Sequence, residues 1–431
     1  MKNSFVSLLC LVFIIPTVIF AQQSPDIIIT NGKVIVLNPE NKIEEAIAIA
    51  GNKILAVGKS TELLQLKTAT TKVIDARGKT IIPGLSDNHL HIIRGGRFFN
   101  LELRWDGVKT LSRALQMLKE QAARTPKGEW VRVVGGWNEY QFIEKRLPTL
   151  KEINDATGNV PTFILYLYGK AFVNQAGLKQ LSLDANSPNP PMGLIEKDIN
   201  GDPTGLLVAD PGAYLLYSNL AKLPEHDDKE KIQACRNFMS ELNRLGVTSA
   251  LDAGGGFQNY PGDYSSMEEN AKGGKVSLRI PFYLFAQKKG TEKDDYTKWV
   301  STIDLEQEHQ DILTYRFGIK GAGENIVADG ADYENFEKPQ VMLPPTMEEN
   351  LKPIITLFVQ KRWPFRLHAT YNESITRFLN VFEDVNKEYP FNNLTWLFDH
   401  AETVSPENIN RIKALGGGIA IQHRMAYQGE L

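Results

Sequence analysis

The chain has 431 residues, a formal net charge of −3 and two cysteines, Cys10 and Cys235. Acidic and basic residues are interspersed, so the charge pattern does not indicate nucleic acid or an anionic membrane surface as a partner, and a small molecule is favoured. Because Cys10 lies in an N-terminal segment that we expect to be removed, the mature chain would keep one cysteine. An intramolecular disulfide and a cysteine-based zinc site are therefore excluded, and any metal must be bound through nitrogen and oxygen.

The N-terminal residues have the pattern of a cleaved secretion signal. Lys2 supplies a positive charge, residues 5–20 form an apolar run that contains Pro16, and a polar stretch begins after Ala21. The run is short for a membrane-spanning helix, and no second apolar segment follows it. We therefore expect residues 1–21 to be a signal peptide of bacterial type, which predicts a periplasmic or secreted protein without stable membrane insertion.

Residues 22–80 are predicted to form short β-strands. Apolar, β-branched runs at residues 26–30, 33–37, 46–50 and 53–57 are separated by Asn31-Gly32 and Gly51-Asn52, which are typical of hairpin turns. This pattern predicts a small antiparallel sheet.

From residue 81 to the end, apolar β-rich runs alternate with helical stretches, as they do in parallel α/β folds. Seven runs are candidate strands of one barrel, at residues 80–85, 130–134, 248–252, 316–320, 365–368, 395–398 and 418–422. A turn-rich loop at residues 186–191, between the second and third runs, indicates an insertion over the mouth of the barrel. The predicted fold class is α/β, a TIM-type (β/α) barrel at residues 81–431.

Histidines at the ends of three of these runs are candidate metal ligands. His89 and His91 follow the first run two residues apart, so on an extended chain both imidazoles point to the same side and can bind one ion. His368 and His400 each end an apolar run that precedes a helix. Since active sites of such barrels lie at the carboxyl ends of the strands, we expect all four histidines to lie close together.

Several motifs resemble those of one protein family. The segment Pro83-Gly84-Leu85-Ser86-Asp87-Asn88-His89-Leu90-His91 resembles the signature of the amidohydrolase superfamily. Further motifs are similar to its family-3 branch, the YtcJ-like or N-substituted formamide deformylase-like proteins. These motifs are Gly135-Gly136-Trp137-Asn138, Val173-Asn174, Asp202-Pro203-Thr204-Gly205, Gly246-Val247-Thr248-Ser249, His368-Ala369 and His400-Ala401-Glu402. The resemblance covers nearly all of the chain after the predicted signal peptide.

The resemblance implies a hydrolase that cleaves an amide-type C–N bond of a small molecule by metal-activated water, with one or two divalent ions and zinc as the expected metal. It implies a β-sandwich assembled from both chain ends, of which residues 22–80 would be the N-terminal part. It also implies a metal-binding aspartate after an eighth barrel strand. Because the sequence ends at Leu431, soon after the seventh run, we expect the barrel to be truncated before its eighth strand.

The resemblance also implies roles for the candidate ligands. The two histidines of the first run would bind the metal together with a ligand supplied after the fourth strand. Lys320, in carboxylated form, and Glu324 are rivals for that position. His368 and His400 would bind a second ion or, beside a single ion, act as catalytic groups that orient the substrate and stabilise the oxyanion.

Trp137, Asn138 and Tyr168 are candidates for lining the substrate pocket, although an indole also packs well in any core and an asparagine after two glycines also forms turns. Bond choice depends on pocket shape, so a hydrolase of ester or cyclic amide bonds is an alternative. A catalytically inactive, truncated binding protein is another. The expected partner is a small-molecule substrate, and the sequence leaves a homo-oligomer open.

Overall fold

The computed structural model describes residues 24–166, 169–190, 193–210, 213–333 and 342–421. The predicted signal peptide and Tyr168 lie outside these residues. Contacts divide the chain into two compact units, one that ends at Gly84 and one that begins at Leu85.

From residue 24 onward, the described part of the N-terminal unit forms two small sheets instead of the single antiparallel sheet predicted from the sequence. Its elements are β1 (Ile27–Thr30), β2 (Lys33–Ile35), β3 (Ile43–Glu44), β4 (Ala46–Ala50), β5 (Lys53–Gly58), α1 (Ser60–Leu63), β6 (Lys72–Asp75) and β7 (Thr80–Ile81). One sheet has the order β5-β4-β1-β6, with β1 and β6 parallel, and the other has the order β3-β2-β7. The turn after β4 is the predicted hairpin. The turn after β1 is not, because β2 pairs with β7, and the backbone N–H of Lys33 donates to the carbonyl of Lys79 (3.0 Å).

The second unit consists of alternating helices and strands. Its first part comprises β8 (Leu85–Leu90), α2 (Ile92–Phe98), α3 (Leu111–Arg124), β9 (Val131–Val134), α4 (Leu150–Thr157), β10 (Thr162–Tyr166), β11 (Lys170–Val173), α5 (Gln175–Gln180), β12 (Gly193–Lys197), β13 (Pro203–Ala209), α6 (Tyr214–Leu220) and α7 (Asp228–Arg244). Its second part comprises β14 (Val247–Asp252), α8 (Ser265–Lys272), β15 (Ile280–Leu284), α9 (Glu292–Thr302), α10 (Leu305–Tyr315), β16 (Phe317–Ala322), α11 (Met347–Gln360), β17 (Phe365–Ala369), α12 (Asn372–Glu388), β18 (Trp396–His400), α13 (Pro406–Ala414) and β19 (Gly418–Ala420). None of the helices in the described ranges combines the length and the apolar character needed to cross a membrane.

Within the described ranges, seven parallel strands confirm the predicted α/β barrel. Their spatial order is β19-β18-β17-β16-β15-β14-β8. Over the described residues β8 and β19 do not pair, so the barrel is nearly closed and has one open seam. Helices α11 and α12 bury Phe358 and Phe382 against Phe365 and Phe398 of the strands, with ring centroids 5.7 Å apart in both pairs.

Two of the predicted barrel strands are placed differently in the structure. The first barrel strand begins at Leu85 and includes His89, whereas Thr80–Ile81 forms β7 of the other unit. The run at residues 130–134 contains β9, which pairs with β10 in another sheet. The third barrel strand is Ile280–Leu284, which was not among the strands predicted from the sequence. Apart from Arg132, both runs are apolar and buried, so composition alone could not assign them to a sheet.

The residues between α2 and α7 form a five-stranded sheet of their own, in the order β12-β13-β11-β10-β9. Phe163 and Leu165 of β10 pack into one hydrophobic core, and Ile164 packs into another. This alternation is expected of a strand that is buried on both faces. The predicted insertion is therefore much larger than the loop at residues 186–191, and it lies between the first and second barrel strands.

The close approach of β16 and β17 gives a test of the barrel. A Cβ at Gly321 would overlap the carbonyl oxygen of Pro364. We expect Gly321→Ala to lower the free energy of unfolding by about 1–3 kcal/mol, because the strands must separate to admit the methyl group. Gly262→Ala is the control, since no atom lies within 4 Å of its added Cβ. Equal urea-unfolding midpoints for the two variants would contradict this placement of the strands.

Candidate metal centre

The two histidines of the first motif lie where β8 gives way to α2. His89 belongs to the strand, and His91 directly precedes the first helical residue. Their ring centroids are 5.4 Å apart and the rings are nearly perpendicular, at 83°. Asp252 at the end of β14 accepts a hydrogen bond from the backbone N–H of Ile93 (2.8 Å) and so fixes the start of α2. A strand end and a helix start together bring the two imidazoles to one place.

The carboxylate of Glu324, two residues after β16, is the point on which four histidines converge. Its oxygens lie 3.5 Å from His89 Nε2, 3.3 Å from His91 Nε2, 3.0 Å from His368 Nδ1 and 3.3 Å from His400 Nε2. His368 lies on β17 and His400 is the last residue of β18. Only 6% of Glu324 is exposed. The ends of four neighbouring or facing strands thus supply one buried group of donor atoms.

The second ring nitrogen of three of these histidines faces another polar side chain. The pairs are His89 Nδ1 with Asp399 Oδ1 (3.1 Å), His368 Nε2 with Thr370 Oγ1 (3.3 Å) and His400 Nδ1 with Glu402 Oε1 (3.7 Å). Outer partners of this kind are typical of metal-binding histidines, because they fix the tautomer and the direction of the ring.

Burial and pairing set the charges of the site. Burial would raise the pKa of Glu324, but the hydrogen bonds and charges of the surrounding histidines hold it well below its usual value. Burial lowers the pKa of His89, which favours the neutral imidazole that metals require. Burial would also raise the pKa of Asp399, but the guanidinium of Arg366 holds it below its usual value. The site therefore offers ionised carboxylates and a neutral ring.

The donor atoms fit a divalent metal ion. His89, Glu324 and His400 each offer one ligand atom, and these atoms lie within 4.8 Å of one another. Bonds of about 2.1 Å to zinc place tetrahedral ligands about 3.4 Å apart. The Glu324 oxygen lies 3.5 Å and 3.3 Å from the nearest nitrogens of His89 and His400. These residues therefore have both the chemistry and the spacing to hold an ion.

A sequence model of the amidohydrolase family matches residues 72–431. The chain belongs to this family. The family-3 resemblance predicted from the motifs is thereby confirmed.

Two curated relatives and one solved structure show how far the similarity extends. The chain is 29% identical to an N-substituted formamide deformylase of Arthrobacter pascens over 234 residues, which are 54% of this chain and 43% of that protein. It is 30% identical to the putative amidohydrolase YtcJ of Bacillus subtilis strain 168 over 242 residues, which are 54% of this chain and 44% of that protein. The matched parts thus span less than half of each relative. An uncharacterized metal-dependent hydrolase from Pyrococcus furiosus shares the fold, with a TM-score of 0.62 at 18% identity over 93% of this chain and 78% of that chain.

Lys320 and Glu324, the two candidates for the ligand after the fourth strand, have different surroundings in this amidohydrolase. Glu324 contacts four histidines, as described above. Lys320 lies on β16 and is half-buried, and its ammonium group forms no hydrogen bond or ion pair with the residues that the structure describes. The geometry therefore brings Glu324, rather than Lys320, into the group of donors.

Two of the three residues predicted to line the pocket have structural contacts in the segment between α2 and α7. Trp137 is 3% exposed, and its indole N–H donates to the carbonyl of Leu165 (3.0 Å). Asn138 accepts hydrogen bonds from the backbone N–H groups of Tyr140 and Gln141 and so caps a short 3₁₀ helix. Tyr168 lies outside the described residues. A substrate-binding role for these three residues stays a prediction.

Three charged residues of the site were not assigned from the sequence. Asp252, Arg366 and Asp399 are all 0% exposed. Each lies within or at the end of an apolar strand, and this is the signal that could have found them, because charged residues are almost never fully buried without a partner. Asp252 accepts from two backbone N–H groups, and burial raises its pKa. Arg366 and Asp399 pair with each other.

The loop after β14 gives a test of the site geometry. A Cβ at Gly255 would lie 3.1 Å from His91 Nδ1, so the ring would have to move by a few tenths of an ångström. We expect Gly255→Ala to weaken zinc binding about tenfold, because ring orientation sets ligand affinity. Gly256→Ala is the matched control, since nothing lies within 4 Å of its added Cβ. Equal zinc affinities for the two variants, measured by competition with a chromophoric chelator, would place His91 outside the metal site.

Proposed function

We propose that this protein is an exported, metal-dependent hydrolase that cleaves an amide-type C–N bond of a small molecule. The observation that carries the proposal is the buried carboxylate of Glu324, which one ring nitrogen from each of four histidines contacts. Membership of the amidohydrolase family supports hydrolysis as the reaction. The name of one relative, N-substituted formamide deformylase, supports the type of bond.

In this proposal His89, His91 and Glu324 would hold a divalent ion, with zinc as the expected metal, and the spacing of His400 would allow it to bind the same ion. His368 and His400 reach the same carboxylate. They either hold a second ion together with Glu324 or, beside a single ion, hydrogen-bond the substrate. Oε2 of Glu324 contacts His89, His368 and His400, and Oε1 contacts His91, so the carboxylate could serve in either arrangement.

A bound divalent ion supplies Lewis-acid chemistry, lowering the pKa of water towards neutrality and polarising the carbonyl of the substrate. The residues of the chain supply position and exclude solvent. His368 and His400 are 4% and 6% exposed, and in such surroundings a ring N–H stabilises a developing negative charge on oxygen better than it would in water. Asp399 accepts the Nδ1 proton of His89, which leaves Nε2 to face Glu324.

The type of bond is tested with the purified, zinc-loaded chain on a panel of N-substituted formamides, other N-acyl amines, cyclic amides and esters. Hydrolysis of open-chain amides supports the proposal. Hydrolysis confined to esters or cyclic amides would replace it with that activity on the same site. Zinc binding without turnover of any member would favour a binding protein.

The ligand assignment predicts opposite results for two neighbouring substitutions. Glu324→Gln keeps the shape of the side chain but removes its charge, so we expect the variant to lose its bound zinc. Loss of a residue that only hydrogen-bonds a metal ligand lowers activity by roughly 10–100-fold, and we expect the rate of hydrolysis by Glu324→Gln to fall by more than this. Lys320→Gln is the control and should retain both. Elemental analysis of the two purified variants measures the metal. The reverse pattern would make Lys320 the ligand.

Export predicts processing of the N-terminus. When the 431-residue sequence is expressed in a bacterium, we expect the protein outside the cytoplasm with Gln22 as its first residue, because residues 1–21 have the pattern of a signal peptide. Mass spectrometry of the fractionated protein measures this. A form that lacks residues 1–21 should stay in the cytoplasm. Cytoplasmic protein with an intact N-terminus from the full sequence would refute export.

A further inference from the structure

A buried arginine lies directly behind one histidine of the metal centre. Arg366 of β17 is 0% exposed. Its guanidinium donates hydrogen bonds to both carboxylate oxygens of Asp399 on β18, from Nε to Oδ2 (2.6 Å) and from Nη2 to Oδ1. Nη1 and Nη2 also donate to the backbone carbonyl of Asn88 on β8, each at 3.0 Å. One side chain therefore connects three barrel strands, including the strand that carries His89.

His89 contacts this group on the side of its ring that faces away from Glu324. Its Nδ1 lies 3.1 Å from Asp399 Oδ1 and 3.1 Å from Arg366 Nη2. A guanidinium can only donate hydrogen bonds, so the Nδ1 proton of a metal-binding His89 must go to Asp399. Asp399 can accept this proton only in a fixed orientation, and the two parallel bonds from Arg366 impose that orientation.

The segment that delivers Glu324 also makes room for this arginine. A Cβ on Gly323 would overlap Cγ of Arg366, and the φ of Gly323 is +146°, which L side chains rarely adopt. On another side, the ring of Tyr283 covers the guanidinium, with its centroid 5.3 Å from Cζ. Because Gly323 directly precedes Glu324, the position of the arginine and the position of the carboxylate are set by the same stretch of backbone.

We propose that Arg366 is a positioning residue of the metal centre, which acts through Asp399 and the carbonyl of Asn88 to fix the His89 ring with Nε2 facing Glu324. The inference rests on the proposed function, because this orientation matters only if His89 binds a metal. An ion pair with a purely structural role would stabilise the barrel, but its replacement in a folded variant would leave metal affinity unchanged.

The test uses the double variant Arg366→Met/Asp399→Leu. Replacing both partners of a buried ion pair by apolar residues of similar size is often neutral or stabilising, whereas removing one partner leaves an unpaired buried charge. Arg411→Met/Glu383→Leu is the matched control, because this pair is also joined by two hydrogen bonds of 2.8 Å but connects α12 with α13. Titration of the metal-free proteins with Co²⁺, followed by visible absorption, reports affinity and ligand geometry, and thermal unfolding reports whether each variant is folded.

We expect the double variant to bind Co²⁺ about 10–100-fold more weakly than the unsubstituted chain, with shifted absorption bands, while the control keeps both. A folded double variant with unchanged affinity and bands would overturn the inference. If the double variant does not fold, Arg366→Lys decides, because it keeps the charge beside Asp399 but cannot bond both carboxylate oxygens and Asn88 together. Weaker binding by that variant supports the inference, and unchanged binding overturns it. Failure of the unsubstituted chain to bind any Co²⁺ would instead overturn the proposed metal site, and this inference with it.

Discussion

The interior of the barrel depends on the charge of one buried carboxylate. An ionised carboxyl group taken out of water is costly unless it is paired or binds a metal. Glu324 meets this requirement through imidazoles supplied at the ends of β8, β17 and β18. β17 and β18 are neighbours, but three other strands separate β8 from β17 in the sheet. The curvature of the barrel brings these strand ends together. The site therefore depends on the fold, because in a flatter sheet the histidines at the end of β8 would lie too far from Glu324 to contact it.

The backbone adopts an unfavourable conformation at the end of β18, where His400 turns towards Glu324. His400 and Ala401 have φ values of 74° and 55°, in the left-handed region that costs a non-glycine residue about 1–2 kcal/mol. The N–H of Ala401 donates to the carbonyl of Ala369 (2.8 Å), so the ends of β17 and β18 hold the turn in place. The turn directs the His400 ring between Glu324 and Glu402. Non-glycine residues in such conformations cluster at functional sites, where the surrounding structure over-determines them.

The sequence predicted which histidines lie close together better than it predicted the sheets around them. The spacing of His89 and His91 follows from the two-residue period of a strand, which is a local property of the chain. The sheet to which residues 130–134 or 280–284 belong depends on distant strands, and both runs are mostly apolar. The choice between Lys320 and Glu324 was also beyond the sequence, because it depends on how the chain leaves β16 at Gly323. The contacts of Arg366 could not be predicted for a related reason, because its partners Asp399 and Asn88 are remote in sequence.

The charges around the site argue for a cation. Asp399 is balanced by Arg366, and Asp252 is held by two backbone N–H groups, so each of these buried carboxylates has its own partner. Among the residues that the structure describes, the side chain of Glu324 contacts imidazoles, which are either neutral or must take up a proton to balance its charge. Metal binding releases such protons, because a ligating imidazole must be neutral. A divalent ion would therefore supply the positive charge that pairs with Glu324 without requiring the imidazoles to take up protons, whereas an anion would be repelled by the carboxylate.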